Sequence, residues 1–224
     1  MKKVLSLLAA VMLCMAANAQ QIVTSRSVST VEHKAPSNTQ WTLRLGVGTN
    51  NFAGTDIDAI GSKFGYNFAV DFNKSIGGQG AYWGMGLELG SRGYKVSVED
   101  DGEKDKVTAT AHSIQWDAFN FGWKINLTDD LKLDPHIGVF TSYDYAGKAK
   151  ETYEYDGESE SESIKIGDWE NYRRYDVGMT FGVGLWYKQF NLDLRYQRGF
   201  ICPFDYDDAK GAASNFMVRL GVAF

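Results

Sequence analysis

The feature that most constrains this chain is a period-two alternation of apolar and polar residues, repeated from Trp41 to the C-terminus. It is clearest in six segments, residues 41–48, 64–72, 82–89, 175–185, 190–197 and 216–224. Alternation of this kind indicates strands whose two faces meet different surroundings. The chain is therefore expected to be all-β.

Two further segments alternate less regularly. Between residues 108 and 127 the apolar parity changes after Trp116 and resumes at Phe119, and a one-residue bulge near Ala118 would restore it. The segment from Leu131 to Val139 contains Pro135, which lacks a backbone donor and fits better near a strand end. With these two, the predicted strand number is eight.

The connections between the predicted strands alternate in length. Short ones cover residues 73–80, 128–130 and 188–189, and mostly longer polar ones cover residues 49–63, 99–106, 146–171 and 201–213. This asymmetry is typical of outer-membrane barrels with tight periplasmic turns and long outer loops. The predicted fold is a transmembrane up-and-down antiparallel β-barrel.

The N-terminus predicts export. Lys2 and Lys3 precede an apolar stretch over residues 4–16, and Ala17-Asn18-Ala19 is a signal-peptidase pattern, so cleavage is expected before Gln20. The stretch is shorter than the ~20 residues of a membrane-spanning helix. Lipidation at Cys14 is the alternative, although Leu13 before it is larger than that processing prefers. Residues 20–40 are expected to form a periplasmic tail, a plug or an extra strand, and residues 41–224 the barrel.

The composition of the chain argues against some classes of partner and favours β structure. Removing Lys2 and Lys3 takes the formal net charge from −5 to −7, which argues against nucleic acid as a partner. Only Cys202 remains after cleavage, so no internal disulfide is possible. The 13 Phe, 12 Tyr and 6 Trp, with only 3 Pro, favour β structure.

The two strand faces distinguish a membrane barrel from a soluble one. A soluble calyx would be polar outside and apolar inside, and a soluble sandwich is a second alternative. Here the polar face carries Gly, Asn and charged residues, while aromatics gather at strand ends, as interfacial anchoring requires. The predicted periplasmic girdle is Trp41, Phe72, Trp83, Trp123, Trp186 (or its neighbour Tyr187), Phe190 and Phe224.

Two segments resemble a known family. The run from Arg173 to Leu185, followed by Phe190–Tyr196, is similar to the outer-membrane β-barrel domain of Bacteroidetes-type bacteria, a porin-like or PorT-like family. The final strand, Phe216–Phe224, looks like the C-terminal signature that barrel-insertion machinery reads. The resemblance spans roughly residues 40 to 224. It implies a small barrel and an insertion-machinery partner, and it implies no activity.

Charged side chains on the polar face are the main candidate site. The predicted lumen network comprises Arg44, Asp71, Glu88, Lys132, Asp134, His136, Asp176, Asp193, Arg195 and Arg219. Isolated buried charges are costly, and an eight-stranded interior is just wide enough for side chains to fill. The network is expected to seal the lumen. A narrow solute or proton path is the alternative.

Histidines offer a weaker site. His112-Ser113 near loop acids, or His136, could be fitted to an acyl-processing or protease centre, but adjacent strand residues point to opposite faces. No His or Cys set has zinc-like spacing. The expectation is therefore no catalytic residue, no metal and no cofactor.

The predicted outer loops are acidic. Residues 151–170 contain eight carboxylates, and further acids lie at residues 99–103 and 205–208. A solvated, disordered loop is one interpretation, and capture of Ca²⁺ or Mg²⁺ that bridges to lipopolysaccharide is the other. The leading expectation for the whole chain is a non-enzymatic surface or envelope-structural barrel in contact with outer-membrane lipid and lipopolysaccharide. A small porin or solute-binding barrel is the second, and a lipid- or peptide-processing enzyme the third.

Overall fold

The computed structural model describes residues 39–53, 60–77, 79–100, 103–155, 158–168, 172–203 and 211–224. All of these residues except Phe224 belong to one compact unit, Asn38–Ala223. The predicted signal peptide and nearly all of the predicted tail lie outside these residues. The first strand begins at Thr39, two residues before the predicted start of the barrel. No helix in the described ranges is long and apolar enough to cross a membrane.

The described residues form ten strands and one short 3-10 helix (Ile166–Asp168). The strands are β1 (Thr39–Ala53), β2 (Ile60–Ser75), β3 (Ala81–Asp100), β4 (Glu103–Trp123), β5 (Ile125–Asn126), β6 (Leu131–Tyr155), β7 (Glu158–Lys165), β8 (Tyr175–Tyr187), β9 (Phe190–Gly199) and β10 (Ala212–Ala223).

Eight of these strands close a barrel. Around the ring the order is β1, β2, β3, β4, β6, β8, β9 and β10, and β10 pairs with β1 to close it. Every pairing is antiparallel. The predicted eight-stranded up-and-down barrel is confirmed. The two remaining strands are additions, since β5 and β7 each pair only with β6.

The predicted bulge is present in β4. Asp117 is opposite Phe140 and Phe119 is opposite Val139, so Ala118 has no partner across β6. The extra residue switches the outward positions from Ile114 and Trp116 to Phe119, Phe121 and Trp123. The apolar face therefore stays on the outside from Ile114 to Trp123.

Tight turns connect strands at the end that carries both barrel termini. Between β8 and β9 only Lys188 and Gln189 intervene, and Lys188 adopts a positive φ of 55°. Between β2 and β3 Gly80 has a φ of 86°, and a Cβ there would overlap the carbonyl oxygen of Lys124. Left-handed conformations of this kind let strands reverse within a few residues.

At the other end the predicted long loops are wrong in extent. β6 continues to Tyr155, and much of the predicted loop 146–171 is strand, with Glu158–Lys165 folding back along it as β7. β3 and β4 likewise pair as far as Asp100 and Glu103. Alternation continues in these segments, but the apolar residues Tyr94, Ala109 and Ala149 face inward and the outward positions are polar. The prediction relies on an apolar outer face, so it places loops where the structure has strands.

Candidate functional site

The middle of the lumen is filled by an ionic cluster centred on Arg195 of β9. Its Nη2 donates to both carboxylate oxygens of Asp117 (2.8 Å each) and to Thr180 Oγ1 (3.0 Å), while Nη1 donates to Glu88 Oε2 (3.1 Å). Arg195 is only 1% exposed. One guanidinium thus joins side chains from β3, β4, β8 and β9 across the barrel interior.

A second arginine extends this cluster. Arg219 Nε donates to Asp193 Oδ2 (2.8 Å), and Arg219 Nη1 lies 3.7 Å from Glu88 Oε2. His136 Nε2 is 3.5 Å from the other oxygen of Asp193. Buried charges are tolerable only when they are paired, and here each arginine is balanced by carboxylates.

Toward the periplasmic end the chemistry changes to an aromatic and amide layer. Arg44 pairs with Asp71, donates to Asn191 Oδ1 (3.1 Å) and lies 5.9 Å from the centre of the Trp186 ring. Asp134 accepts hydrogen bonds from Trp186 Nε1 (2.8 Å) and from the Tyr82 hydroxyl (3.0 Å). Lys124 Nζ lies 4.3 Å from the centre of the Trp186 ring, between this layer and the periplasmic mouth of the barrel.

Toward the outer end a third group of contacts crosses the interior. Arg92 Nη1 pairs with Asp176 Oδ2 (3.2 Å), whose other oxygen accepts from the backbone N–H groups of Phe200 and Ile201 (3.3 and 3.2 Å). The Tyr172 hydroxyl donates to Asp144 Oδ2 (2.6 Å). Burial, and then the nearby Asp144 carboxylate, raise the pKa of Tyr172 above its ordinary value, so the phenol keeps the proton that it donates.

The cavities along the axis are small except at the periplasmic mouth. A cavity of about 10 Å³ lies beside Arg44, His136 and Arg219, which is room for about one water molecule. The outer one, of about 40 Å³, is lined by residues that include Tyr94 and Tyr172. The periplasmic mouth holds about 420 Å³ around Trp123 and other residues.

Nine of the ten predicted network residues lie in these three layers. Lys132 is the exception, because it lines the periplasmic mouth and forms no ion pair with a described residue. The nine do not form one network either. Asp176 belongs to the outer layer, Asp134 to the aromatic layer, and the central cluster recruits Asp117 in addition.

The predicted girdle residues lie on the outer wall, with one correction. Trp41, Trp123, Phe190 and Phe224 are exposed; Phe72 and Trp83 are half-buried in a run of ring contacts that begins at Trp41 (Trp41–Phe72, 5.1 Å; Phe72–Trp83, 6.1 Å).

The assignment of Trp186 to the girdle is wrong. Trp186 is 2% exposed and faces the lumen, because it shares the parity of Asp176 and Gly184, while Tyr187 takes the wall position at 55% exposure.

Several interior residues are absent from the predicted network, and each has a signal in the sequence. Asp117 alternates with Trp116 once the bulge at Ala118 is accepted. Arg92 continues the inward series of Glu88 and Gly90, and Asp144 continues that of β6. The predicted strands end before the last two, because Ser91 and Gly93 flank Arg92 and Thr141 interrupts the apolar face before Asp144.

The two histidines in the described ranges, His112 and His136, do not lie together. His112 is on the outer wall, where its Nδ1 is 3.1 Å from the Tyr66 hydroxyl. His136 has an acid neighbour, Asp193, but the pair is buried in mid-lumen, away from the outer rim. Within the described ranges no group of three or more His, Cys, Asp or Glu side chains is arranged to hold a metal ion.

The acidic residues of the predicted loop 151–170 are partly in strands. Glu151 belongs to β6, and Glu160 and Glu162 belong to β7, where Glu162 is directly opposite Glu151. The picture of a disordered loop is therefore wrong for these positions. Residues 156–157, 169–171 and 204–210 lie outside the described part of the chain.

The polar interior, the apolar wall and the aromatic strand ends are the features of a membrane barrel, and the comparison with protein families agrees. Residues 18–204 match the family described as outer membrane protein beta-barrel domain. The chain belongs to this family. The family places the barrel in the outer membrane, with the apolar wall toward lipid. No curated protein sequence matches the chain.

Solved structures to which this family member is similar include three proteins. One is a major outer membrane protein from Thermus thermophilus (12% identity, 83% of this chain and 99% of that chain, TM-score 0.48). A second is Ail, the attachment invasion locus protein of Yersinia pestis (15%, 84% and 99%, 0.38). A third is Neisserial surface protein A (12%, 82% and 97%, 0.41).

Proposed function

We propose that this barrel is a closed, non-enzymatic component of the outer membrane with an envelope-structural or surface-interaction role. The observation that carries the proposal is the central cluster, in which Arg195 and Arg219 join Glu88, Asp117 and Asp193 across the lumen. Side chains from six of the eight barrel strands meet there. A solute would have to break these buried pairs to pass.

The absence of catalysis is part of the same proposal. Chemistry at a barrel rim needs a base within hydrogen-bond reach of a proton that substrate presents. Neither His112 nor His136 is a base at the rim. His112 contacts the Tyr66 hydroxyl on the outer wall, and His136 is buried beside Asp193 at mid-height in the lumen.

Planar-bilayer recording of the pure full-length protein tests the closed lumen. We expect no discrete conductance steps from the natural chain, whose insertion is verified by a shift in electrophoretic mobility on heating. The matched control is Arg195→Ser/Arg219→Ser, which removes two guanidinium groups from mid-lumen and is expected to conduct. Reproducible single-channel steps from the natural chain would contradict the proposal.

A small solute-binding barrel or porin is the second candidate. It is favoured by one observation, the polar periplasmic mouth of about 420 Å³ with Tyr82, Trp123 and Lys124 in its lining. Aromatic rings beside a cation can hold a small polar solute. Conductance that a Lys124→Gln substitution alters would favour this candidate.

A further inference from the structure

The outer wall changes its chemistry immediately beyond the outer aromatic residues. Tyr66, Tyr143 and Tyr145 are exposed on the wall, and the Tyr66 hydroxyl contacts His112. Residues that face the same way farther out are no longer apolar. This face of β2, β3, β4, β6 and β7 carries six lysines, here called the lysine patch: Lys63, Lys95, Lys106, Lys148, Lys150 and Lys165.

Strand register places these lysines on one face. Lys95 is opposite Thr108, which is opposite Lys150, and Lys106 is opposite Thr152. The residues between them point inward, where Tyr94, Ala109 and Ala149 form a buried cluster. Successive strand residues alternate between faces, so the lysines all project to the outside.

The six cations lie close together. Lys148 and Lys165 are direct cross-strand partners, a position in which like charges repel. Lys63 Nζ reaches over the sheet, donating to the Ala109 carbonyl (3.3 Å) and to the Thr110 hydroxyl. Partial burial lowers the pKa of Lys63, and the positive charges of Lys95 and Lys148 lower it further.

On this face no carboxylate is found among the described side chains near the lysines; farther out, register places Glu99 and Glu154 at the same parity, on either side of Lys104. None of the six lysines forms an ion pair with a described residue, and the described carboxylates Glu151, Glu160 and Glu162 occupy the opposite parity. A groove of about 550 Å³ runs between four of the lysines and has threonines in its lining. Ammonium groups beside hydroxyls suit an anion with several acceptor oxygens, such as a phosphate.

The height of the lysine patch identifies the anion. Lys148 is three residues beyond Tyr145, and Lys150 is five beyond, which is about 10 to 17 Å along a strand. Tyrosines exposed near the ends of membrane strands lie at headgroup level, and Tyr66, Tyr143 and Tyr145 occupy such positions. With a strand tilt of about 35–45°, these two lysines stand about 7 to 14 Å above the tyrosines, so they face the outer edge of the headgroup layer.

We propose that the lysine patch binds the phosphate groups of a phosphorylated glycolipid in the outer leaflet, held laterally against the barrel wall. The proposal requires the barrel to stand in the outer membrane in this orientation. It does not depend on a closed lumen, so its failure and that of the proposed function are separable.

Equilibrium binding to the full barrel in detergent tests it, with fluorescent diphosphoryl lipid A as the probe and the same lipid without phosphates as the comparison. Each lysine near an anionic surface strengthens binding by a similar factor, about five- to sixfold. Lys148→Gln/Lys150→Gln is therefore expected to weaken phosphorylated-lipid binding about 30-fold. Binding of the dephosphorylated lipid should not change. Raising the salt concentration should reduce the difference between natural chain and variant.

The matched control is Lys74→Gln/Lys188→Gln, which removes the same charge from exposed positions near the periplasmic turns. It should bind within about twofold of the natural chain. If Lys148→Gln/Lys150→Gln lacks heat-modifiable mobility, Lys95→Gln/Lys165→Gln provides the same test. Equal affinity for the two lipids, equal losses in patch and control variants, or tighter binding of soluble dextran sulfate than of lipid A would each overturn the proposal.

Discussion

The mid-barrel lumen is rich in charged residues, and so is the outer extension, the part of β2, β3, β4, β6 and β7 beyond the outer aromatic residues. The charges are arranged differently in the two regions. In the lumen, cations and carboxylates alternate in space and pair at distances such as the 2.8 Å of Arg195–Asp117. In the extension, the charges nearest the membrane are sorted, with the lysine patch on the outer face and Glu151, Glu160 and Glu162 on the other parity. The difference shows that burial enforces pairing, whereas water and headgroups allow like charges to gather.

Breaking a lumen pair should have the largest effect. Arg195→Met leaves Asp117 buried without its arginine and Glu88 with only Arg219 at 3.7 Å, so we expect a loss of about 3–5 kcal/mol in the free energy of unfolding. Denaturant titration in lipid vesicles measures it. The control is Lys188→Met, which removes an exposed pair with Asp130 (3.7 Å) and should cost no more than about 1 kcal/mol.

The same cluster allows a sharper version of that test. Arg195→Met/Asp117→Asn removes the guanidinium together with the charge of one partner, so its loss should be smaller than that of Arg195→Met alone. A double variant that is less stable than the single one would contradict the view that the unpaired carboxylate dominates the cost.

The barrel and the extension differ in how much room there is for a Cβ atom at their glycines. At Gly48 in the barrel a Cβ would overlap the Phe216 carbonyl oxygen and lie 2.7 Å from Met217 Cα, so Gly48→Ala should destabilise by about 1–3 kcal/mol. At Gly61 in the extension the nearest atom would be the Lys95 carbonyl oxygen, 3.7 Å away. Gly61→Ala should change stability by less than about 0.5 kcal/mol. Equal effects in the same denaturant titration would refute the difference.

The contact of Tyr172 with Asp144 should have the smallest and most local effect. Tyr172→Phe removes one hydrogen bond to a buried carboxylate, worth about 1 kcal/mol. The adjoining backbone bonds, Asp144 N–H to the Arg174 carbonyl (2.7 Å) and Arg173 N–H to the Pro203 carbonyl (2.8 Å), should open more often. Hydrogen exchange at these amides should speed up about fivefold, since that factor corresponds to about 1 kcal/mol. The control Tyr143→Phe, on the exposed wall, should leave it unchanged.

The alternation of residues is sufficient to predict much of this protein. An apolar residue at every second position meets lipid, and its neighbours then face the lumen, so Arg44, Glu88, Asp193, Arg195 and Arg219 can be assigned to the interior from sequence alone. The bulge at Ala118 is also predictable, because a single extra residue is the simplest way to reverse parity.

Pairing within the lumen could not be predicted. Arg195 and Asp117 are separated by 78 residues, and which acid an arginine reaches depends on the register and stagger of strands around the ring.

Trp186 shows that residue type alone does not predict which face a side chain occupies. A tryptophan near a strand end is expected at the interface, but its parity places it inside, where its indole N–H binds Asp134.

The all-β barrel, its strand number and its inward and outward faces follow from the sequence, because a two-residue period is a local property of the chain. How far β3, β4 and β6 extend beyond the membrane, and which charges meet, depend on the tertiary structure. Above the membrane the outer face is polar and only the inner face is buried, as at Tyr94, Ala109 and Ala149, so the apolar stripe of the wall does not mark these strands. The lysine patch exists only because register brings Lys63, Lys95, Lys106, Lys148, Lys150 and Lys165 from five strands to one side.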